Sequence, residues 1–459
     1  MLAHNDVNFQ SDYGLQAVAR QLKIEKWLKA SNFSKNKGTP VVSLIMSLVS
    51  IVFYSKNLFQ YLNSKWGCDT ESKNTYYRVL TNPFYNWLAF LLHLSSFFVS
   101  KLTTLTDIKR AKTLILDDSA IPKNRSKHME LLSRAHDHVN NTFYKGFTCL
   151  TLGWSDGYSF VPLGFNMLSS ANKKNLINPC SETVDKRTNS YKIRKLSQMH
   201  KPDAAYLMVK NALAHGVVAD FILMDSWFTT EPLITKLCEE GLEVIGMLKN
   251  CNYQYWYNGN RYKLNQLWSF VSHKAGAEIY GSLTVHTLHN KIPLKLVFVK
   301  NRSKRSEFLC IASTKTTLSG NEIIRLYGRR WQIETFFKSA KSFLRLGKDS
   351  QSTNYGALVA STTITFVRYI LLEYLKRQQN DPMTMGELFS NMCEHVPDIP
   401  FSKAFKYICS LFKAVMEHIK NEKEETTPFV KEIICQVNDW ITTLPSFIRH
   451  LLPDFSWES

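Results

Sequence analysis

Two short, mostly apolar runs each lead directly into an aspartate: Thr113-Leu-Ile-Leu-Asp117 and Phe221-Ile-Leu-Met-Asp225. Runs of this length are typical of buried strands, and an acid that follows such a strand lies at the carboxyl edge of the sheet. Two carboxylates that converge at one edge repel each other unless a cation lies between them. Because Asp is also a common residue at the end of a strand, two interpretations stay open: metal ligands, or ordinary strand-to-turn residues.

The sequence around these runs predicts an α/β domain over about residues 106–375. Short apolar runs bounded by polar turns begin near residue 110, and the turn Trp154-Ser-Asp-Gly157 lies between two of them, as in a hairpin. A basic, polar stretch over 172–201 is interpreted as a linker. Beyond it we predict two helices and two strands, over 204–215 (helix), 221–224 (strand), 231–240 (helix) and 242–248 (strand).

A purely β pattern over about 249–313 predicts a β subdomain inserted into this domain. Apolar residues alternate with polar ones on both sides of a turn near His289-Asn290. The alternating positions are Leu283, Val285 and Thr287 before the turn, and Leu294, Leu296 and Phe298 after it.

Helical patterns flank the α/β domain on both sides, over about 1–105 and 376–459. Ser72 is a candidate N-cap for a short helix that resembles the second helix of a helix-turn-helix. Its predicted exposed residues, which could contact DNA, are Lys73, Asn74, Tyr77 and Arg78. An ordinary solvated helix face explains the same residues, so both interpretations stay open.

The charge balance points to a polyanionic partner. The chain has 57 Lys and Arg residues against 38 Asp and Glu residues, a net charge of +19. An excess of this size on an ordered chain favours nucleic acid as a partner, although a basic balance also keeps a protein soluble.

Cysteine usage and the apolar stretches favour a cytoplasmic protein that does not enter a membrane. The nine Cys residues form no close pair, which argues against zinc-ribbon and thioredoxin-type motifs and fits a reducing compartment. The first nine residues lack the pattern of a secretory signal. The apolar stretches 40–54 and 87–99 are shorter than the roughly 20 residues that a spanning helix needs, so we predict buried helices there.

A polar stripe marks the long helix that we predict over 321–346. Tyr327, Arg330, Glu334 and Lys341 are offset by 0, 3, 7 and 14 residues, which places all four on one face of a helix. The alternative is a solvated face on which Arg330 and Glu334 form an ordinary i, i+4 ion pair.

This stripe resembles the signature around the third acid in one branch of the bacterial DDE insertion-sequence transposases. The signature is Tyr, two residues, Arg, three residues, Glu, six residues, Lys, and every spaced position matches. Asp117-Asp118-Ser119 is similar to the first acidic motif of that family, and Asp225-Ser-Trp-Phe-Thr229 is similar to the second. A β-rich insertion before the third acid is likewise typical. The resemblance covers roughly residues 70–375.

The resemblance implies a ribonuclease-H-like core in which Asp117, Asp225 and Glu334 hold two divalent ions. Mg²⁺ is the expected ion and Mn²⁺ a substitute, because hard oxygen ligands and a phosphate substrate suit both. Asp118 is an alternative first ligand, since neighbouring strand residues point to opposite faces. The spacing Asp117-x-Ser119 is closer to the usual family pattern, so we favour Asp117.

The resemblance also implies DNA contacts. Tyr327, Arg330 and Lys341 correspond to positions that contact phosphate at the transposon end, and this branch passes through a DNA hairpin. Hairpin formation needs a base that is turned out of the stack and held by an aromatic side chain. The candidates are Trp256, Trp268 and Trp227, although a tryptophan is more often a core residue.

The overall expectation is a cut-and-paste DNA transposase. Its partners would be double-stranded DNA, at the terminal inverted repeats and at the target, and a second copy of the chain in a synaptic complex. The N-terminal region would bind the repeats, and the C-terminal region would mediate dimerisation. Two alternatives stay open: a non-catalytic DNA-binding derivative of a transposase, and a metal-dependent nuclease without strand transfer. His136 and His138, predicted on one helix, are interpreted as surface or packing residues.

Overall fold

The computed structural model describes most of the chain up to His395. The described residues are 14–64, 71–107, 109–137, 141–180, 184–271, 278–301, 307–349, 351–378 and 383–395. The predicted dimerisation region beyond residue 395, the first nine residues and His138 lie outside them.

Six helices form the described part of the region before residue 106. They are α1 (Gly14–Gln21), α2 (Ile24–Ala30), α3 (Val41–Ser50), α4 (Leu58–Leu62), α5 (Lys73–Thr81) and α6 (Trp87–Leu105). Asparagines start two of these helices: the Asn57 side chain accepts a hydrogen bond from Gln60 N at 2.8 Å, and that of Asn86 from Ala89 N at 3.1 Å. Ser72 precedes α5 as predicted, but its hydroxyl makes no cap bond to the backbone.

A mixed sheet forms the centre of the protein. Its first six strands are β1 (Thr113–Pro122), β2 (Ser133–Asp137), β3 (Thr142–Ser155), β4 (Phe160–Leu168), β5 (Phe221–Met224) and β6 (Glu243–Leu248). Strand β3 is antiparallel to β1, β4 is antiparallel to β3, and β5 and β6 run parallel to β1. The β3–β4 pair confirms the predicted hairpin, with its turn over 156–159.

The strands predicted as an inserted subdomain continue this same sheet. They are β7 (Gln254–Tyr257), β8 (Asn260–Lys263), β9 (Ile279–Thr287), β10 (Pro293–Lys300) and β11 (Phe308–Ser313). Strand β11 pairs with β6, and the described sheet has eleven strands. These strands enclose a small core of their own around Tyr255, Val285 and Phe298. The pattern is not purely β, because helix α10 (Leu264–Trp268) follows β8.

Seven further helices surround the sheet or follow it. They are α7 (Asn189–Ser197), α8 (Lys201–Ala214), α9 (Glu231–Glu239), α11 (Gly320–Gly328), α12 (Trp331–Ser342), α13 (Tyr355–Gln378) and α14 (Met385–His395). Helix α13 is almost completely buried and packs against α1, α3, α5, α6 and β4. One continuous apolar core therefore joins the N-terminal helices to the sheet.

The predicted linker over 172–201 is wrong, because it contains helix α7. The Arg194 side chain on α7 is only 3% exposed and forms a two-pronged ion pair with Glu130, with N–O distances of 2.6 and 2.7 Å. The stretch is polar enough to look solvated, but its central arginine is neutralised by a residue 64 positions earlier.

Two helix predictions also need correction. The single helix predicted over 321–346 is two helices, α11 and α12, which meet at Arg329 and Arg330. There the amides of Arg329 and Arg330 bond to carbonyls three residues earlier, at 3.0 and 2.9 Å, so the α-helical pattern is interrupted. His136, predicted on a helix, lies in strand β2 opposite Phe143 of β3.

Two helices are long and apolar enough to span a membrane by length and composition, Trp87–Leu105 and Tyr355–Gln378. The length argument used for residues 87–99 therefore fails, since α6 extends to 19 residues. Its buried residues recur every three or four positions and face α2, α13 and β4. Because core helices pass the same test, these two helices are weak indicators of a membrane span.

Arg368 joins α13 to two other helix ends. Its side chain is 2% exposed and donates hydrogen bonds to the carbonyls of Leu48 (2.7 Å), Val49 (3.1 Å) and Leu344 (3.0 Å). It also forms an ion pair with Asp349 at 2.5 Å. Two carbonyls in the last turn of α3 and one that lies two residues beyond α12 thus share one guanidinium.

We predict that Arg368→Met lowers the free energy of unfolding by about 3 kcal/mol, because three carbonyls lose a buried donor and Asp349 keeps only Arg345 as its ion-pair partner. Urea unfolding followed by circular dichroism measures this. Arg345→Met is the matched control, since Arg345 pairs with the same Asp349 at 2.7 Å but is 27% exposed. The control loses under about 1 kcal/mol. Equal losses in the two variants would contradict a special role for Arg368.

Candidate active site

The first two predicted acids meet through the register of two parallel strands. Leu116 of β1 pairs with Met224 of β5, so the next residues along the two strands, Asp117 and Asp225, leave the paired segment side by side. Both carboxylates lie at the carboxyl edge of the parallel strands, as the sequence predicts. Burial raises the pKa of Asp117 most, and like-charge repulsion from Asp225 raises it further.

Arg330 connects the first acid to the third. Its guanidinium forms an ion pair with Asp117 at 2.7 Å and a second, very short one with Glu334 on the first turn of α12. The side chains of all three residues are at most one-third exposed. Three residues that are more than 200 positions apart at the extremes thus form one contiguous group.

Asp225 is held by the turn that follows β5. Its carboxylate accepts hydrogen bonds from the amides of Trp227 (3.0 Å) and Phe228 (3.3 Å). The Thr229 hydroxyl donates to the Asp225 carbonyl at 2.6 Å. This arrangement fixes the orientation of the carboxylate before helix α9 begins.

Asp118 points to a different partner. Its carboxylate pairs with Lys201, the first residue of α8, whereas Asp117 faces Arg330 and α12. The Lys201 ammonium also lies 4.1 Å from the centroid of the Trp227 ring. Opposite orientation of neighbouring strand residues accounts for this separation.

The electrostatics of the group reflect burial of acids beside one another. Burial raises the pKa of Asp117 to about 7, although the Arg330 charge opposes the rise. Burial also raises the pKa of Asp225, and the two amide hydrogen bonds oppose it. The Tyr327 hydroxyl is buried, and burial raises its pKa to about 12.

The chemistry of this donor set fits a divalent cation. Carboxylate oxygens are the ligands that hard ions prefer, and such oxygens are carried by Asp117 and Asp225 at the edge of the sheet and by Glu334 on α12. Among the described residues, no three acidic, His or Cys side chains are grouped closely enough to hold an ion. The counter-charge between Asp117 and Glu334 is instead the Arg330 guanidinium.

The other residues of the stripe lie along α11 and α12. The Arg330 guanidinium is 5.9 Å from the centroid of the Tyr327 ring. Lys341, half-buried near the end of α12, is close enough to Cys149 of β3 to influence the pKa of that thiol, which burial raises to about 12. Cys149 pairs with Ser119, two residues beyond Asp117, so α12 follows the line of β1.

The three candidate tryptophans have different surroundings. Trp268 is half-buried: it packs against the small core and stacks on Phe308 at 4.6 Å. Trp256 on β7 lies beneath two cations, with Lys291 at 3.6 Å and Arg261 at 4.7 Å from its ring centroid. Trp227 is 41% exposed and lies next to the second acid.

The predicted helix-turn-helix contacts lie on α5. Lys73, Asn74 and Arg78 are exposed, and Tyr77 is half-buried. The opposite face of α5 carries the buried Tyr76, Val79 and Leu80 and packs on α13 and α3.

Sequence analysis did not identify two residues that lie near the candidate active site. Lys201 is one, because its contact with Asp118 spans 83 positions. Trp331 is the other: it directly follows Arg330 and is 68% exposed. Its place within the signature could have drawn attention to it.

A cavity of about 630 Å³ opens beside the second acid. It lies between the turn after β5, the start of α9 and the edge of β7. Aromatic side chains line it together with charged ones: Trp227, Tyr253, Tyr255, Asp203, Glu231 and Lys236.

Comparisons with known proteins agree on the class of enzyme. A family model described as the transposase DDE domain matches residues 184–364, and one described as the DDE superfamily endonuclease matches residues 62–258. Each match covers less than half of the chain. No curated protein gives a significant match.

The two matches support a DDE transposase with a ribonuclease-H-like core, and transposase domains imply DNA binding. The second match includes Asp117 and Asp225, and the first includes Asp225 and Glu334. DDE-type endonuclease domains generally use divalent metal ions.

The raised pKa of Asp117 predicts a pH dependence of stability. Since its pKa rises from 3.8 to about 7 on folding, the metal-free folded state binds a proton that the unfolded chain has released. The bound proton stabilises the folded state at low pH, and this stabilisation is lost as the pH rises from about 4 to about 7. We predict that the free energy of unfolding is roughly 2 kcal/mol lower at pH 8 than at pH 5.

Urea unfolding at pH 5 and pH 8 with a chelator measures this difference, and Asp117→Asn should remove it. Asp203→Asn is the control, because Asp203 is exposed and pairs with Lys236 at 3.0 Å. If the stability of Asp117→Asn changes with pH as much as that of the unaltered protein, the assignment to Asp117 is wrong.

Proposed function

We propose that this protein is a cut-and-paste DNA transposase that cleaves at the ends of an insertion sequence and joins them to target DNA. The observation that carries the proposal is the group formed by Asp117, Asp225, Arg330 and Glu334, which unites three separate segments at one edge of the sheet. The matches to a transposase DDE domain and to a DDE superfamily endonuclease support this proposal.

Asp117, Asp225 and Glu334 would hold the divalent ions, with Mg²⁺ as the proposed ion and Mn²⁺ as a substitute. When bound, the ions would activate the attacking oxygen and stabilise the leaving one in an in-line displacement at phosphorus. The turn after β5 pre-orients Asp225 for this task through two amide hydrogen bonds. Asp118 is engaged by Lys201, which supports Asp117 as the first ligand.

Arg330, Tyr327 and Lys341 would bind phosphate at the transposon end. The guanidinium fork that spans two carboxylates has the geometry to bind two phosphate oxygens instead. Lys341 would add a point charge further along α12. The buried Tyr327 hydroxyl, whose raised pKa keeps it protonated, would serve as a hydrogen-bond donor.

We further propose a hairpin intermediate, in which one base leaves the stack. The cavity beside Asp225 supports this step, since about 630 Å³ is room enough for a nucleobase and Trp227 and Tyr253 offer exposed rings. Trp256, covered by Lys291 and Arg261, is better suited to a phosphate contact than to stacking. Trp268 is left out because it packs against the small core.

The remaining parts of the proposal concern assembly. The N-terminal helices would bind the terminal repeats through α5, two copies would join in the synaptic complex, and the protein would work in the bacterial cytoplasm on the nucleoid. The basic charge of the chain, +19, is consistent with DNA as the partner.

We predict that the protein cleaves a duplex bearing the flanking repeats of its element only when Mg²⁺ is present. Glu334→Gln and Asp117→Asn should each lower the cleavage rate at least about a hundredfold, because each removes one metal ligand while keeping the side-chain shape. Gel analysis of end-labelled DNA measures the rate, and it reveals hairpin ends directly.

Two matched controls accompany these variants. Glu239→Gln changes an exposed glutamate on α9, and Asp118→Asn changes the acid that faces Lys201. Both should keep more than about a tenth of the rate. Loss of cleavage with Asp118→Asn but not with Asp117→Asn would reverse the assignment of the first ligand. Tight binding without cleavage by the unaltered protein would favour the non-catalytic derivative.

Repeat recognition by α5 has its own test. We predict that Lys73→Ala with Arg78→Ala lowers the preference for the repeat duplex over an unrelated duplex at least about fivefold. Fluorescence anisotropy at one fixed salt concentration measures both affinities. Lys29→Ala, on α2 and paired with Glu25 at 2.7 Å, is the control. An unchanged preference in the double variant would remove α5 from the recognition surface.

A further inference from the structure

A ring of arginines surrounds the turn between β3 and β4, on residues that the catalytic proposal does not use. The turn comprises residues 156–159, and its Tyr158 side chain is 64% exposed. The Arg110 guanidinium lies 4.2 Å from the Tyr158 ring centroid, and that of Arg377 lies 5.6 Å from it. These two arginines come from the segment before β1 and from the end of α13.

Two further arginines approach from the junction of α11 and α12. Arg329 donates a hydrogen bond to the Ala111 carbonyl at 2.6 Å, and its guanidinium lies against Gly157. Gly157 has a φ of +94°, and a Cβ atom there would come within 3.2 Å of that guanidinium. The charges of Arg325 and Arg110 lie close enough to Arg329 to lower its pKa, after burial as the main cause.

The turn that carries Tyr158 is firmly held. The fully buried Asp156 carboxylate accepts hydrogen bonds from the amides of Tyr158 (2.9 Å) and Ser159 (2.8 Å) and from the Thr106 hydroxyl (3.1 Å). Gln332 of α12 donates to the Gly157 carbonyl at 3.2 Å. The exposed ring and its flanking charges therefore form a preorganised surface.

The acids nearby do not balance this surface. Asp156 pairs with Arg377 at 3.4 Å, and Asp156 and Asp220 partly offset the charge around Arg329. Within the described ranges, Arg110 and Arg325 form no ion pair. The guanidiniums of Arg110 and Arg377 at the ring and of Arg329 and Arg325 beside them repel one another, and a polyanion that binds there relieves the repulsion.

The position of this surface beside the candidate active site indicates which polyanion binds there. Arg329 directly precedes Arg330 of the candidate active site, and Trp331, 68% exposed, follows. Along β1, Thr113 pairs with Ser155 at the turn, and Asp117 pairs with Thr151. Four residues of β1 therefore separate the turn from Asp117, a distance of about 13 Å. This distance corresponds to roughly four base pairs of duplex DNA.

We propose that Arg110, Tyr158, Arg325, Arg329 and Arg377 form a second DNA contact, which binds the phosphate backbone of the duplex about four base pairs from the bond that is cut. The proposal rests on the proposed function for the position of the scissile bond. Guanidiniums bind phosphate oxygens without regard to sequence, and the tyrosine ring packs against the sugars between them. The contact extends the DNA-binding surface of the enzyme on one side of the active site.

The salt dependence of DNA binding tests the proposal. Fluorescence anisotropy with a 40-base-pair repeat duplex measures the affinity in chelator at 50 to 200 mM NaCl. The slope of log affinity against log salt concentration gives the number of phosphates that are neutralised. For Arg110→Ala with Arg377→Ala we expect a slope smaller by about 2 and an affinity lower by about tenfold near 100 mM salt. A duplex that ends at the cut site should show no such difference.

Further variants guard against a simple loss of folding. Arg110→Ala alone breaks no ion pair within the described part of the chain and should lower the slope by about 1, whereas Arg110→Lys should restore it. Lys192→Ala with Lys210→Ala, two exposed lysines on α7 and α8, is the matched control for the double variant. Melting temperatures within about 2 °C of the unaltered protein exclude unfolding as the cause.

The outcomes separate this contact from the proposed function. If the double variant and its control have the slope of the unaltered protein, the second contact is overturned, whether or not cleavage occurs. If the slope falls as expected but the unaltered protein cuts no DNA with Mg²⁺, the contact stands and the catalytic proposal fails. An equal loss with the duplex that ends at the cut site would overturn the stated position of the contact.

Discussion

The two ion pairs of Arg330 are the interaction around which the candidate active site is organised. One guanidinium contacts Asp117 from the centre of the sheet and Glu334 from α12, and it keeps two buried acids compatible with folding. The pKa of Asp117 nevertheless rises to about 7, so the arrangement is strained electrostatically. A site of this kind is suited to binding a cation, because positive charge offsets the repulsion between its carboxylates.

Other arginines organise the protein at a distance from this site. Arg368 ties the end of α3 and the second residue beyond α12 to the buried helix α13, and Arg194 ties α7 to Glu130. Each guanidinium satisfies several buried acceptors at once, which a lysine could not do with the same geometry. The N-terminal helices therefore share a core with the catalytic sheet, and the candidate DNA contacts on α5 are rigidly connected to the acids through α13.

The parts that were predictable from the sequence are those with a local signal. Alternation and apolar runs located β5, β6, β9 and β10 within a few residues, and the strand-end acids lie at the sheet edge where the sequence predicted them. The predictions that failed rested on a local sequence pattern that does not reflect the tertiary contacts. Residues 172–201 are polar because α7 presents one face to solvent, while Arg194 turns inward to a partner that is distant in the sequence. The helix over 321–346 has an unbroken pattern, yet it changes to three-residue hydrogen bonds at Arg329 and Arg330.

The sequence by itself predicted the order of most strands and helices, the two acids that follow apolar strands and the spacing of the Tyr-Arg-Glu-Lys stripe, because these depend on neighbours within a few positions. Only the tertiary structure decided which acids share a counter-charge and which arginines converge. The register between β1 and β5 sets Asp117 beside Asp225, Lys201 pairs with Asp118, and Arg110 and Arg377 meet at Tyr158. These contacts join residues tens to hundreds of positions apart, and long-range pairing leaves no periodic trace in a single chain.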